Sequence, residues 1–144
     1  MESPFEVLLI EDDAADIDLT QEALLDSKLH VHLSTVRSGS DALSYLRQHA
    51  PFEEAVMPDL ILLDLNLPGM SGKEILQAIR KDPALRHIPV AVLTTSQAQQ
   101  DIGDSYRLGA NCYVSKPVGL DEFTHVIHAL EEFWFTIVKI PPRE

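Results

Sequence analysis

Asp59-Leu60-Ile61-Leu62-Leu63-Asp64-Leu65-Asn66-Leu67-Pro68-Gly69 decides how this chain folds. Four apolar residues, Leu60 to Leu63, stand between two carboxylates, and a Pro-Gly turn signal follows. A short apolar run closed by turn residues predicts a strand buried on both faces, as in a parallel sheet. Asp64 then emerges at the carboxyl end of that strand, where open α/β sheets bind their ligands.

Working outward, Phe5 to Ile10 is a run of the same kind, ending in Glu11-Asp12-Asp13. Pro89 to Leu93 closes on Thr94-Thr95-Ser96, and Cys112-Tyr113-Val114 closes on Ser115-Lys116-Pro117. Val31, Leu33 and Thr35 alternate with their neighbours, predicting a half-buried or edge strand. Helical patterns lie between. Ala14 to Asp26 has Ile17, Leu24 and Leu25 inward, and Ser40 to His49 has Leu43, Tyr45 and Leu46. Ser71 and Glu74 form a capping-box pattern that opens a helix through Lys81, with Ile75, Leu76 and Ile79 inward. Gln97 to Leu108 is polar and holds Gly103, which predicts loose packing. Leu120, Phe123, Val126, Ile127, Leu130 and Phe133 stripe a final helix. Strands alternating with helices in this way give one α/β domain, a doubly wound parallel sheet of five strands with five helices.

The 144 residues suffice for one domain, expected over 1–133 with an apolar tail over 134–144. The formal net charge of −12 argues against nucleic acid as a ligand, because phosphate contacts need clustered Lys and Arg. No positively charged stretch precedes the first apolar run, and no run is long enough for a membrane span. The single cysteine, Cys112, excludes an internal disulfide and suits a reducing, cytoplasmic compartment.

In a parallel sheet all strand carboxyl ends share one edge. Glu11, Asp12, Asp64, Thr94 and Lys116 therefore converge before any function is assumed. Carboxylates gathered there repel: at about 4 Å and an effective dielectric near 20, each pair costs about 4 kcal/mol. A hard divalent cation held by one or two carboxylates would compensate, which describes a Mg²⁺ site awaiting a phosphoryl group.

This combination of an acidic pair, Asp-x-x-x-Pro-Gly, a strand-end Thr and Lys-Pro resembles the receiver domain of two-component response regulators, over Phe5 to Leu130. The resemblance implies a flavodoxin-like strand order of 2-1-3-4-5. It implies that Asp64 accepts a phosphoryl group from a kinase phosphohistidine. Asp12 would ligate Mg²⁺ directly, Glu11 through water, and Asn66 by its backbone carbonyl, while Thr94 and Lys116 contact the phosphoryl oxygens. Tyr113 would move into space vacated by Thr94, as a two-state switch. The Lys116–Pro117 bond would be cis. The protein would catalyse its own phosphorylation and dephosphorylation without turning over an independent substrate.

Thr94-Thr95-Ser96, Asp101-Ile102, Ser105-Tyr106, Asn111-Cys112-Tyr113 and Glu132-Phe133-Trp134 are similar, more narrowly, to the small regulators that pair with phytochrome-type histidine kinases. Thr95 stands where many receivers carry Ala, Gly or Ser, which predicts slow reaction with small phosphodonors. Output by DNA binding has no room in these residues, so signalling through protein–protein contact is expected. Phe133, Trp134, Phe135 and Ile137 form an apolar run, expected either to cover a homodimer interface or to pack on its own domain.

Other classes fit less well. A haloacid-dehalogenase phosphohydrolase needs a second Asp two residues after the nucleophile, where this chain has Asn66. A flavodoxin-like carrier needs a phosphate loop after the first strand, where Glu11-Asp12-Asp13 would repel FMN. A degenerate receiver, an interaction module that is never phosphorylated, would lack one of the five edge residues, and none is missing.

Overall fold

In the computed structural model, which describes residues 4–27 and 29–141, the edge predicted from Leu60–Asp64 is assembled by a five-stranded parallel sheet. The strands are β1 (Phe5–Ile10), β2 (Val31–Val36), β3 (Leu60–Leu63), β4 (Val90–Thr94) and β5 (Cys112–Ser115), in the order β2-β1-β3-β4-β5. The helices are α1 (Ala14–Leu25), α2 (Gly39–Leu46), α3 (Gly72–Lys81), α4 (Gln99–Arg107) and α5 (Leu120–Glu132). A turn of π-helix, Phe133–Ile137, continues α5.

All four residues of β3 are buried, and their alternation serves two cores. Ile61 and Leu63 face Ile75, Leu76 and Ile79 of α3 and Ala42, Tyr45 and Leu46 of α2. Leu60 and Leu62 face Ile17 of α1, Leu130 of α5 and Trp134. A strand with an apolar layer on each side has no room for polar residues, which is why the run is continuous. β2 lies at the sheet edge and is only partly covered, as its alternation predicts.

Local chemistry sets the helix ends. Asp13 caps α1 by accepting from the Asp16 backbone N–H. Ser71 and Glu74 form the reciprocal capping box at α3. The two carboxylates that bound β3 have different fates. Asp59 accepts from the Glu6 N–H at 2.9 Å and ties the strand's start to β1. Asp64 is left at the far end.

Three expectations change. In α1, Leu25 is exposed while Thr20, Ala23 and Leu24 are buried, because about 100° per residue turns Leu25 away from the face of Ile17, Thr20 and Leu24. In α5 the inward stripe does not include Leu120 or Phe133, both exposed. Leu120 starts the helix beyond the sheet. At its other end Trp134, seven residues after Ile127 and four after Leu130, takes the inward position and is buried. The Lys116–Pro117 bond is trans, and Ala50–Pro51 is the cis bond among the described residues. An X–Pro bond prefers trans by only about 0.5–1 kcal/mol, so the surroundings of each proline decide its isomer.

Candidate functional site

Register builds the site. Ile10 pairs with Leu63, so the next residues, Glu11 and Asp64, leave the sheet side by side. The Asp64 N–H donates to the Ile10 carbonyl at 3.1 Å. On the other side Thr94 pairs with Ser115, and the Lys116 N–H donates to the Thr94 carbonyl at 2.7 Å. Lys116 follows directly and reaches back across the edge.

Its ammonium sits among three carboxylates. It donates to Glu11 Oε1, to Asp16 Oδ2 at 2.8 Å and to Asp64 Oδ2 at 3.0 Å. Glu11, Asp64, Thr94 and Lys116 are all buried. Asp64 is held at both oxygens, since Oδ1 accepts from the Asn66 N–H at 3.0 Å. The Asn66 amide donates to the Thr94 hydroxyl at 3.4 Å. Glu11 Oε2 accepts from the N–H groups of Asp12 and Asp13, which folds the acidic turn over the strand end.

Gly72 lets this happen. A Cβ there would lie 2.4 Å from the Asp64 carbonyl oxygen and 2.6 Å from Leu65 Cα. The start of α3 thus presses on the backbone that carries Asp64, and only glycine leaves room for it.

The electrostatics are unequal. Burial pushes the Glu11 carboxyl up to about 7; Lys116 pulls it down, and the Asp64 carboxylate beside it pushes it further up. Burial acts to raise Asp64 as well, but the Asn66 N–H, the Glu11 carboxyl and the Lys116 ammonium outweigh it and hold Asp64 below the usual carboxylate range. Burial acts to lower Lys116, and the three carboxylates, Asp16 foremost, leave it well above its ordinary value. The edge therefore favours the charged form of Asp64 and pushes Glu11 toward protonation.

Glu11, Asp12 and Asp64 each offer a carboxylate oxygen, all within 4.8 Å of one another. An all-oxygen set with more negative charge than one ammonium can neutralise suits a hard divalent cation. The residues fit the metal that the resemblance implies.

The edge thus brings together Glu11, Asp12, Asp64, Asn66, Thr94 and Lys116. Tyr113 lies outside the charged cluster. It is half-buried, and its hydroxyl donates to the Ser96 carbonyl at 3.0 Å. Phe133, Trp134, Phe135 and Ile137 lie far along the chain from the edge, in the π-helical turn; Phe135 stacks on Phe5 with ring centroids 4.2 Å apart. Sequence reasoning missed Asp16, which lies in the first turn of α1. It also missed a clamp on α4. Lys73 of α3 donates to Asp101 at 2.6 Å and Asp104 at 3.1 Å, and the Ser96 hydroxyl donates to Asp101 at 2.6 Å. The clamp ties the segment after Thr94 to α3, although α4 buries only Ser105.

Comparison with known proteins adds four findings. The family model for the response regulator receiver domain matches residues 7–128. The response regulator Rcp1 of Synechocystis sp. is 41% identical over 138 residues, 96% of this chain and 94% of that protein. The crystal structure of a phosphorylated cyanobacterial phytochrome response regulator, RcpA, superposes with a TM-score of 0.94 at 44% identity, covering 97% of this chain and all of that one. The Mn²⁺-bound structure of Rcp1 superposes with a TM-score of 0.91 at 41% identity, covering 96% and 100%.

Proposed function

This chain belongs to the response regulator receiver family, and from that premise we propose that Asp64 takes a phosphoryl group from the phosphohistidine of a phytochrome-type sensor histidine kinase, with Mg²⁺ as the resident cation. The observation that carries the reading is the state of Asp64. It is held at both oxygens and set beside an ammonium and two further carboxylates.

In the transfer, an Asp64 carboxylate oxygen attacks phosphorus and forms an O–P bond. The donor N–P bond breaks, its electron pair stays on the imidazole nitrogen, and that nitrogen takes up a proton. Glu11, Asp12, Asp64 and the Asn66 carbonyl would hold Mg²⁺, which supplies charge neutralisation to the phosphoryl oxygens. Lys116 gives up its contact with Asp64 and donates to a phosphoryl oxygen. Thr94, buried and bonded to the Asn66 amide, turns its hydroxyl to another. Pulling Thr94 inward strains the Ser96 segment that Tyr113 and Asp101 grip, so the switch passes through Tyr113. Two or three charge-assisted hydrogen bonds, at roughly 1.5–3 kcal/mol each, match the ~5.5 kcal/mol that moves a population from 1:99 to 99:1.

Among the described residues no helix is long and apolar enough to cross a membrane. The proposed setting is the cytoplasm, without nucleic acid or membrane as partner. We also propose a homodimer. Residues 1–133 would form the receiver and 134–144 the tail; the dimer contact would centre on exposed Phe133, where the two meet, with α4 and β5, because Trp134 and Phe135 pack on their own sheet. Sedimentation of a chain truncated before Phe133 reads this: the truncated form is expected to run as a monomer, and an unchanged dimer overturns it.

The central reading is tested by intact-mass measurement after incubation with phosphoramidate, a donor with the N–P bond of phosphohistidine, and with a phosphorylated histidine kinase. One phosphoryl adduct is expected with Mg²⁺, lost when EDTA replaces it and released by hydroxylamine, as an acyl phosphate should be. No adduct from either donor would make this chain a degenerate receiver.

A further inference from the structure

Lys116 has three ammonium protons and three carboxylate acceptors. Two of those acceptors, Glu11 and Asp64, also belong to the cluster that can hold a cation. When a cation occupies that cluster it competes with the ammonium for both. Asp16 does not belong to the cluster and remains the lysine's own partner.

The backbone holds Asp16 where this matters. It is in the first turn of α1, its N–H bonded to the cap Asp13 at 3.0 Å and its carbonyl to the Thr20 hydroxyl at 2.8 Å. Its carboxylate spans 100 positions of sequence to reach Lys116. A carboxylate at a helix N-terminus is also stabilised in its charged form by the aligned backbone dipoles. Lysine is a flexible four-carbon stem with a point charge, and without a fixed partner its head can turn out of the edge.

We infer that Asp16 is a positioning residue for phosphoryl transfer, tethering the Lys116 ammonium beside Asp64 so that it meets the incoming phosphoryl oxygens already in place. The inference rests on the proposed function above. It acts through Lys116 and not through the cation, and that separates it from Glu11 and Asp12. Misplacing a catalytic group by about 1 Å can cost on the order of a hundredfold in rate. Loss of one tether of three is expected to cost less.

The test compares wild type, Asp16→Asn, Asp16→Glu, Lys116→Met and the double variant Asp16→Asn/Lys116→Met, with phosphoramidate at saturating Mg²⁺. Asp16→Asn is expected to slow adduct formation by about tenfold, while Mg²⁺ affinity by calorimetry stays within about twofold. Asp16→Glu restores part of the rate. In the Lys116→Met background Asp16→Asn has no further effect, because the group it positions is gone. A second readout needs neither cation nor donor. In the metal-free wild type all three ammonium protons are held, so the Lys116 ¹H–¹⁵N signal is expected to be visible by NMR, and to be lost through solvent exchange in Asp16→Asn. An unchanged rate in Asp16→Asn overturns the inference, and so does an equal slowing with and without Lys116. A wild type that takes no phosphoryl group fails the underlying reading instead, while the NMR comparison still judges the tether.

Discussion

Asp64→Asn is expected to abolish the phosphoryl adduct and, in the metal-free protein at pH 8, to raise stability by about 1 kcal/mol. The first effect follows from chemistry: an amide has no carboxylate oxygen to form the acyl phosphate. The second follows from the crowding at the edge. Asp64 is one of the groups that push Glu11 up to about 7, so at pH 8 the folded protein holds two like charges that the unfolded chain keeps apart. The amide side chain of the variant retains the shape, can still accept from the Asn66 N–H, and leaves Lys116 with Glu11 and Asp16. Urea unfolding of both proteins in EDTA measures the difference, and an adduct that persists in the variant would remove Asp64 as the acceptor. A variant less stable than wild type at pH 8 would mean that the Lys116–Asp64 pair outweighs the repulsion between carboxylates.

The same crowding explains what was legible in the sequence. Leu60 to Leu63 announced a strand buried on both faces because both sides of the sheet meet apolar helices, and a four-residue apolar run leaves few alternatives. Asp64 was legible as an edge residue because strand polarity alone puts it there. What the chain did not state was register. Nothing in Ile10 or Leu63 says that they face one another, yet that pairing buries Glu11 against Asp64, and burial first, Asp64 second, raise its carboxyl.

Asp16 was illegible for a related reason. Acidic residues in a first helical turn are ordinary, and its partner lies 100 positions away in sequence. Leu25 and Phe133 show a different limit. Both are apolar and stand beside the inward line of their helix, but Leu25 lies off the face of Ile17, Thr20 and Leu24, and Trp134 continues the line of Ile127 and Leu130 in place of Phe133. The Lys73 clamp joins residues that each read as solvated helix charges.

Lys116→Met is expected to reverse the sign of the stability effect and to make it depend on pH. Removing one partner from a buried charge cluster costs about 3–5 kcal/mol when the other charges stay. At pH 8 in EDTA the folded variant must either ionise Glu11 beside Asp64 with no cation between them or hold the Glu11 proton against the solvent, and the full loss is expected. Below the folded value of Glu11 a proton takes the place of the ammonium. The sign follows from linkage. Glu11 has a folded value of about 7 against an ordinary value of 4.5, so the folded state binds more protons between the two. Its contribution is complete below about 4.5 and is lost as pH rises through 7, a change of about 3 kcal/mol. Lys116 is one of the groups that hold Glu11 down, so the variant pushes that window higher. The destabilisation is therefore expected to be large at pH 8 and much smaller at pH 5.5, where Glu11 holds its proton in both folded proteins. Urea midpoints at the two pH values measure it. An equal loss at both would show that Lys116 stabilises the edge by packing its stem and not by its charge. Phosphoryl transfer to the variant should fall by about a hundredfold, as when one preorganised donor is removed from a developing anion. Added Mg²⁺ should recover stability at pH 8 more than rate, because a cation can balance the carboxylates but cannot replace a donor aimed at the phosphoryl oxygen.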